Sequence, residues 1–495
     1  MTAAPAALLR SSRILASEAE TAAFAARLAA LAKPGDVLAL QGDLGAGKTT
    51  FARAFIAALS GGPVEVPSPT FTLVQVYETP AGSVWHFDLY RIGSAEEVYE
   101  LGFDEALAEA ISLIEWPDRL GRLLPPEALR IELRAEGAPG RRELYLDAPP
   151  AWQARLAAAE DVAARADALA GFLRAADWAT AERRPLSGDA SFRRYERLRR
   201  ADGMRAVLMD APPPREDVRP FIRVAEILAG FGYSVPAILA RDVERGFLLL
   251  EDLGDDLFAR LLAGGRGDEQ ELYGAAVDLL ADLHGHEVPE ELPDYGPDEL
   301  AAAPGTVVEW YLPALSGQKM PTDLVAEFAG RWREALAPLA GLPRVMVLRD
   351  YHAENLIWLP ARKGLARVGL LDFQDAARGL APYDLVSLLQ DARRDVAPEL
   401  EALMIERYLA RRPGEGDAFR AAYALTGAAR NSRILGLWPR LWKRDGKPQY
   451  LRLLPRTWRL LERDLAHPAL EGLRRWYDRV LPPSGRGLPF PGQPA

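Results

Sequence analysis

Residues 42–50 read Gly-Asp-Leu-Gly-Ala-Gly-Lys-Thr-Thr, and no other stretch constrains the chain as tightly. The string fits G-x-x-x-x-G-K-[ST], a loop whose backbone N–H groups close around phosphate oxygens. Such a loop needs a buried strand before it and a helix after it, because the helix N-terminus supplies unpaired donors and the positive end of the peptide dipoles. Both are present. Val37-Leu38-Ala39-Leu40 is an apolar run of strand length, and residues 51–59 are apolar at helical spacing. Gly42, Gly45 and Gly47 permit the tight turn. Lys48 is placed to reach the β- and γ-phosphates and the Thr49 hydroxyl to sit on Mg²⁺, with Thr50 beside them in the nucleotide-binding set.

Length and composition bound the rest. A chain of 495 residues exceeds what one ordinary core supports, so two or more domains are expected. The net charge of -10 argues against a broad basic surface for nucleic acid. Residues 1–150 carry 13 Lys and Arg against 20 Asp and Glu, so the acidity is concentrated there. The absence of cysteine excludes disulfides, thiolate metal sites and cysteine nucleophiles, and five histidines argue against a His-rich metal cluster. The first ten residues lack the pattern of a signal peptide, and no apolar run reaches membrane-spanning length. A cytoplasmic protein without membrane association is expected.

Periodicity predicts a helix over 14–32, capped by Ser17 with Glu20 three residues on. Strands are predicted over 72–77, 84–90, 112–116, 129–134 and 141–147, with a helix over 95–109. A break near 149 and a helical stretch over 151–178 place a boundary near residue 160. A second β-rich stretch runs over 184–252 around a helix at 216–230. Helical sequence follows from 270, interrupted by 345–375. The Pro- and Gly-rich residues 481–495 read as a disordered tail.

A loop of this kind also needs an acidic residue at the end of a neighbouring strand, and Asp88 and Glu115 both end predicted strands. Three further strings follow in order: Ser-Pro-Thr-Phe-Thr-Leu-Val at 68–74, His-Phe-Asp-Leu-Tyr-Arg at 86–91 and Glu-Trp-Pro at 115–117. Together with the glycine loop they closely resemble the TsaE family, the ATPase subunit of the bacterial tRNA threonylcarbamoyladenosine machinery. The resemblance implies an α/β P-loop NTPase domain over residues 1–160. It implies ATP as ligand, Thr70 as a switch residue near the γ-phosphate, and Thr49 and Glu115 on the metal. Asp88 and Glu115 form the acidic pair that handles metal and attacking water, and Trp116 belongs to the nucleotide pocket. It also implies a TsaB–TsaD pair as partner, with tRNA met only indirectly.

The second half carries a different phosphotransfer pattern. Asp350 and Asn355 have the spacing D-x-x-x-x-N within Arg-Asp-Tyr-His-Ala-Glu-Asn, and Asp372 follows Asn355 by 17 residues. This set suits phosphoryl transfer to a hydroxyl: Asp350 accepts the proton, while Asn355 and Asp372 hold Mg²⁺. The region resembles the aminoglycoside phosphotransferase branch of the kinase-like fold, an α+β bilobal domain expected over 161–480. The strings at 184–195, 207–213 and 251–254 are similar to the AmgK type, which phosphorylates the anomeric hydroxyl of N-acetylmuramate and N-acetylglucosamine in cell-wall recycling. By that resemblance residues 187–191, with Gly188 and Ser191, lie over the ATP phosphates, and Glu251 to Leu253 form the hinge against adenine. One departure stands out: Met209-Asp210 occupies the place of the strand lysine of kinases. Arg193, Arg194 or another cation is left to hold the phosphates. The residues themselves leave open another small hydroxyl substrate, or a nucleotide-sensing scaffold. They also leave open whether His352, Asp375, Asn431 and Arg433 touch a sugar, and whether Trp310, Tyr311, Trp438 and Trp442 are core.

Overall fold

The computed structural model describes residues 9–62, 64–186, 192–413 and 416–493, leaving out the Asp417 side chain. The chain divides into two units, Met1–Ala170 and Gly171–Ala495. The first is built on seven strands: β1 (Leu9–Leu15), β2 (Val37–Gln41), β3 (Val74–Thr79), β4 (Gly82–Asp88), β5 (Ile111–Glu115), β6 (Leu129–Ala135) and β7 (Arg142–Ala148). They form one sheet in the order β1-β7-β6-β2-β5-β4-β3. Helices α1 (Glu18–Ala29) and α2 (Lys48–Leu59) cover one face, and α3 (Phe103–Glu109) lies on the other. Along β2, Leu38 and Leu40 join the core beneath α1 and α2, while Val37 and Ala39 join the opposite core. Burial on both faces is why this strand reads as an unbroken apolar run.

The parallel pairs β2–β5 and β4–β5 set Leu40 and Asp88 each opposite Glu115. The glycine loop leaves β2 at the same level. The carboxyl ends of parallel strands thus gather the loop and both acids on one edge, where ligands bind in open α/β sheets.

Three local readings change. The helix expected from residue 14 begins at Glu18, because residues 9–15 form an antiparallel edge strand on β7. Only Leu15 of that strand is buried, so it carries no alternating pattern to find. The cap is as expected: Ser17 Oγ accepts from Glu20 N at 3.2 Å, and Glu20 Oε2 accepts from Ala16 N at 2.9 Å. The helix expected over 95–109 is broken at Gly102 (φ 79°), where a side chain would meet the Trp85 ring at 2.8 Å. Helix α4 (Pro150–Ala175) runs without interruption through the boundary expected near 160, and the two units divide after Ala170.

The second unit opens with an antiparallel sheet of β8 (Glu182–Leu186), β9 (Arg194–Arg199), β10 (Arg205–Asp210), β11 (Ile238–Asp242) and β12 (Phe247–Glu251), in the order β11-β12-β10-β9-β8. Helix α5 (Arg219–Gly230) lies between β10 and β11. The remainder is mainly helical, with α6 (Phe258–Ala263), α7 (Glu269–Leu283), α8 (Pro297–Ala302), α9 (Leu312–Ser316), α10 (Thr322–Leu336), α11 (Pro382–Leu389), α12 (Pro398–Arg411), α13 (Gly416–Asp445), α14 (Leu454–Leu465) and α15 (Glu471–Val480). Two short antiparallel pairs interrupt it: β13 (Arg344–Val347) with β16 (Ala377–Leu380), and β14 (Leu356–Trp358) with β15 (Val368–Leu370).

The expected disorder of 481–495 is corrected through residue 493. Phe490 is buried against Tyr311 and Trp442, and the nearly enclosed Arg486 pairs with Glu462 at 3.0 Å and Asp478 at 2.6 Å. One aromatic anchor and one buried cation override a composition that reads as tail.

Candidate active sites

In the first unit the glycine loop needs its glycines for measurable reasons. At Gly42 (φ 139°) a Cβ would lie 2.3 Å from the Leu133 carbonyl oxygen, whereas at Gly45 (φ 79°) it would meet nothing within 4 Å. Gly42→Ala is therefore expected to destabilise the first unit by about 2–4 kcal/mol, from overpacking on top of a strained dihedral. A lowered urea midpoint for that unit checks it.

Lys48 opens α2 and is buried. Its Nζ donates to the carbonyls of Gly42 (2.7 Å) and Asp43 (3.0 Å) and sits 3.9 Å from the centre of the Trp116 ring. Burial pushes its pKa down, and Glu115, Asp88 and Asp43 oppose that. Thr49 Oγ1 donates to Glu115 Oε2 at 3.2 Å, while His86 Nε2 lies 3.0 Å from Glu115 Oε1, both side chains enclosed. With the carboxylate as acceptor, the imidazole donates from Nε2. Asp88 accepts from the hydroxyls of Thr70 (2.6 Å) and Ser68 (3.2 Å) and from Tyr90 N (3.1 Å). Trp116 holds a left-handed backbone (φ 60°), with its ring 5.0 Å from that of Tyr90.

Lys48, Thr49, Thr70, Asp88, Glu115 and Trp116 are thus linked around the loop of Gly42, Gly45 and Gly47, with Thr50 in the first turn of α2. Two contributors carried no assigned role in the sequence. His86 fixes Glu115, and its signal in the sequence is its place at the head of the string at 86–91, where no role was assigned to it. Arg142 on β7 donates from Nε to the Ala46 carbonyl at 2.6 Å, bracing the loop from a distant segment that local pattern does not reach.

In the second unit, Asp350 and Asn355 lie between β13 and β14, and Asp372 between β15 and β16. Asn355 Nδ2 donates to the Asp350 carbonyl at 2.9 Å and lies 3.5 Å from Asp372 Oδ2, while Leu371 N donates to the Asn355 carbonyl at 2.9 Å. Asp372 has a left-handed backbone (φ 56°), as does Arg349 (φ 69°) beside Asp350. Strained backbone of this kind collects at functional sites. Phe373 stacks on Phe221 of α5 with ring centres 4.9 Å apart, which anchors the Asp372 loop. Burial raises the Asp372 carboxyl above its usual range. A bond from Gln374 and the charge of Arg193 oppose this, and Asp350 and Asp375 add to it.

Asp384, which carried no signal in the sequence, accepts from Leu348 N (2.6 Å) and Arg349 N (2.8 Å) and so clamps the backbone leading into Asp350. Glu251 ends β12 with its N–H donating to the Ala237 carbonyl (2.8 Å) and its carboxylate on Arg362 (2.6 Å). Leu253 follows in the connection toward α6. Gly188 and Ser191 lie outside the described residues.

His352 is buried, and its Nε2 faces Asn355 Nδ2 and Arg393 Nη1, each at 3.4 Å. Both neighbours are donors, so Nε2 is an acceptor and the ring is neutral. Burial and the nearby arginines push its pKa down in the same sense. A cavity of about 240 Å³ opens beside this cluster, lined by Glu354, Arg393, Gln449, Tyr450, Arg452 and Leu453.

Tyr311 and Trp438 are core residues, and Asn431 is fully buried, donating to Gln390 (2.7 Å) and Asp464 (2.9 Å). Burial pushes the Asp464 carboxyl up to about 7 against the bonds from Gln390 and Asn431. The folded chain therefore keeps a proton that the unfolded chain releases between about pH 4 and pH 7. This group's contribution to stability is present at low pH and declines as pH rises through that window. In Asp464→Asn, the fall in Tm between pH 5 and pH 7.5 is expected to be smaller than in the parent chain.

The oxygen donors present suit Mg²⁺, which is held by one or two side chains together with phosphates and water. These are Asp372 with Asn355 in the second unit, and Thr49 with Glu115 in the first. Among the described residues no helix is long and apolar enough to cross a membrane.

Comparison with known proteins separates the two units. The family model described as threonylcarbamoyl adenosine biosynthesis protein TsaE matches residues 15–144, and that described as phosphotransferase enzyme family matches 182–425. The TsaE protein of Rickettsia bellii is 46% identical over 127 residues, covering 26% of this chain and 88% of that one. The N-acetylmuramate/N-acetylglucosamine kinase of Caulobacter vibrioides is 41% identical over 355 residues, covering 64% of this chain and 97% of that one. Its namesake in Pseudomonas aeruginosa is 38% identical over 297 residues, covering 58% and 84%. The chain is a fusion that belongs to the TsaE family through its first unit and to the N-acetylmuramate/N-acetylglucosamine kinases of the phosphotransferase enzyme family through its second.

Proposed function

We propose that the chain is a bifunctional cytoplasmic protein. Its first unit is a P-loop ATPase that supports threonylcarbamoylation of tRNA adenosine 37 on a TsaB–TsaD-like partner. Its second phosphorylates the anomeric hydroxyl of N-acetylmuramate and N-acetylglucosamine with ATP. The observation that carries the second activity is that Asn355, in the β13–β14 connection, bonds the Asp350 carbonyl and lies 3.5 Å from Asp372 of the β15–β16 connection. Asp350 accepts the proton of the sugar hydroxyl as the hydroxyl oxygen attacks the γ-phosphorus and the bond to the β-phosphate oxygen breaks, releasing ADP, and Asp384 holds the backbone leading into Asp350. Asn355 and Asp372 hold the metal, which when bound neutralises charge on the phosphates. In the first unit Lys48 serves the phosphates, Thr49 and Glu115 the metal, and Asp88 with Thr70 the attacking water.

The cavity lined by Glu354 and Arg393 is the candidate place for the sugar. A polycationic aminoglycoside calls for a concentration of carboxylates, whereas this lining holds two arginines and one glutamate. That balance favours an amino sugar that is neutral or carries a carboxylate. The test incubates the protein with ATP, Mg²⁺ and a panel of N-acetylmuramate, N-acetylglucosamine, kanamycin and choline. A sugar 1-phosphate by mass spectrometry is expected, and product from kanamycin or choline alone would overturn the assignment.

A further inference from the structure

A kinase-like site needs a cation on the nucleotide phosphates, ordinarily a strand lysine paired to a glutamate of the following helix. Here the corresponding strand, β10, ends in Met209 and Asp210, both buried. The neighbouring strand supplies a cation. In the antiparallel pairing of β9 with β10, Tyr195 stands opposite Met209 and Arg194 opposite Asp210, so Arg193 comes next at the same end of the sheet. Side chains alternate along this stretch. Arg194 is exposed, whereas Arg193 is largely enclosed on the face of Tyr195.

Arg193 Nε lies 3.1 Å from Glu216 Oε2, and the other Glu216 oxygen accepts from Phe192 N at 3.0 Å. Glu216 comes shortly before α5, the helix after β10. The same guanidinium points Nη1 toward Asp372 Oδ1 at 4.0 Å. Arg193 thus bridges a glutamate next to the helix and the carboxylate proposed to hold the metal, the two partners that a kinase lysine and its metal site have between them. A guanidinium has five N–H donors in a planar fork. It can therefore serve a carboxylate and phosphate oxygens together, and it reaches further than an ammonium.

We infer that Arg193 is the phosphate-holding cation of the second unit, replacing the strand lysine, with Glu216 as its positioning residue. The inference rests on the kinase reading, and it is tested by nucleotide binding without sugar, so the two fail separately. The full-length chain carrying Lys48→Ala, which disables the first site, is titrated calorimetrically with Mg²⁺-ADP and with adenosine. Arg193→Met is expected to weaken ADP about tenfold or more, as befits a lost charge-assisted contact, while adenosine affinity stays within about twofold. Arg193→Lys recovers part of the loss, and Glu216→Gln shows a smaller loss in the same direction. In turnover, the KM for ATP rises and that for sugar does not. ADP affinity unchanged in Arg193→Met would overturn the inference. So would equal losses for ADP and adenosine, which would mark Arg193 as only a structural tie to the segment of Glu216.

Discussion

Asp350→Asn is expected to lower the rate of sugar phosphorylation by about a hundredfold to ten-thousandfold, the range for removal of a positioned base. The amide keeps the shape of the carboxylate but cannot take the hydroxyl proton. The backbone around it is held independently, by Asp384 on Leu348 N and Arg349 N and by Asn355 on the Asp350 carbonyl. Folding should therefore be preserved, and the sugar KM should move much less than kcat. A continuous ADP-release assay with N-acetylmuramate, run beside a thermal melt, measures both. A rate within a fewfold of the parent chain would remove Asp350 from this role.

Lys48→Ala is expected to lower ATP hydrolysis by the first unit by about a hundredfold or more, because the preorganised positive charge at the phosphates is lost. The sugar-kinase rate should change by less than about twofold, since each site is assembled from side chains of its own unit. The variant also removes the donor to the Gly42 and Asp43 carbonyls, so a loss of about 1–3 kcal/mol in the first unit is expected alongside. Measuring both activities on one preparation separates the outcomes. A fall in sugar phosphorylation well beyond any change in folding would show that the nucleotide sites are coupled.

Much of both sites was legible in the chain because backbone-dominated chemistry leaves local strings. A phosphate loop must be rich in glycine at fixed spacing, and Gly42 shows why: the Leu133 carbonyl leaves no room for a side chain. The kinase-like set was legible through the short spacing of Asp350 to Asn355 and the fixed step to Asp372. The edge strand β1 was not, because one buried residue in seven gives no period to detect. Tail residues through 493 were misread because composition carries no information about a single anchoring contact such as that of Phe490.

The sequence by itself determined that two phosphate-handling units follow one another, and which families they resemble. Motif order and apolar periodicity are local properties, and they survive in the string. Only the tertiary structure decided what supports those motifs: His86 on Glu115, Arg142 on the Ala46 carbonyl, Asp384 beneath the Asp350 loop, and Arg193 rather than Arg194 facing Asp372. Each of these pairs joins residues far apart in the chain or depends on which face of a strand a side chain takes. Such choices are made by sheet register and packing, and no spacing rule in the sequence encodes them.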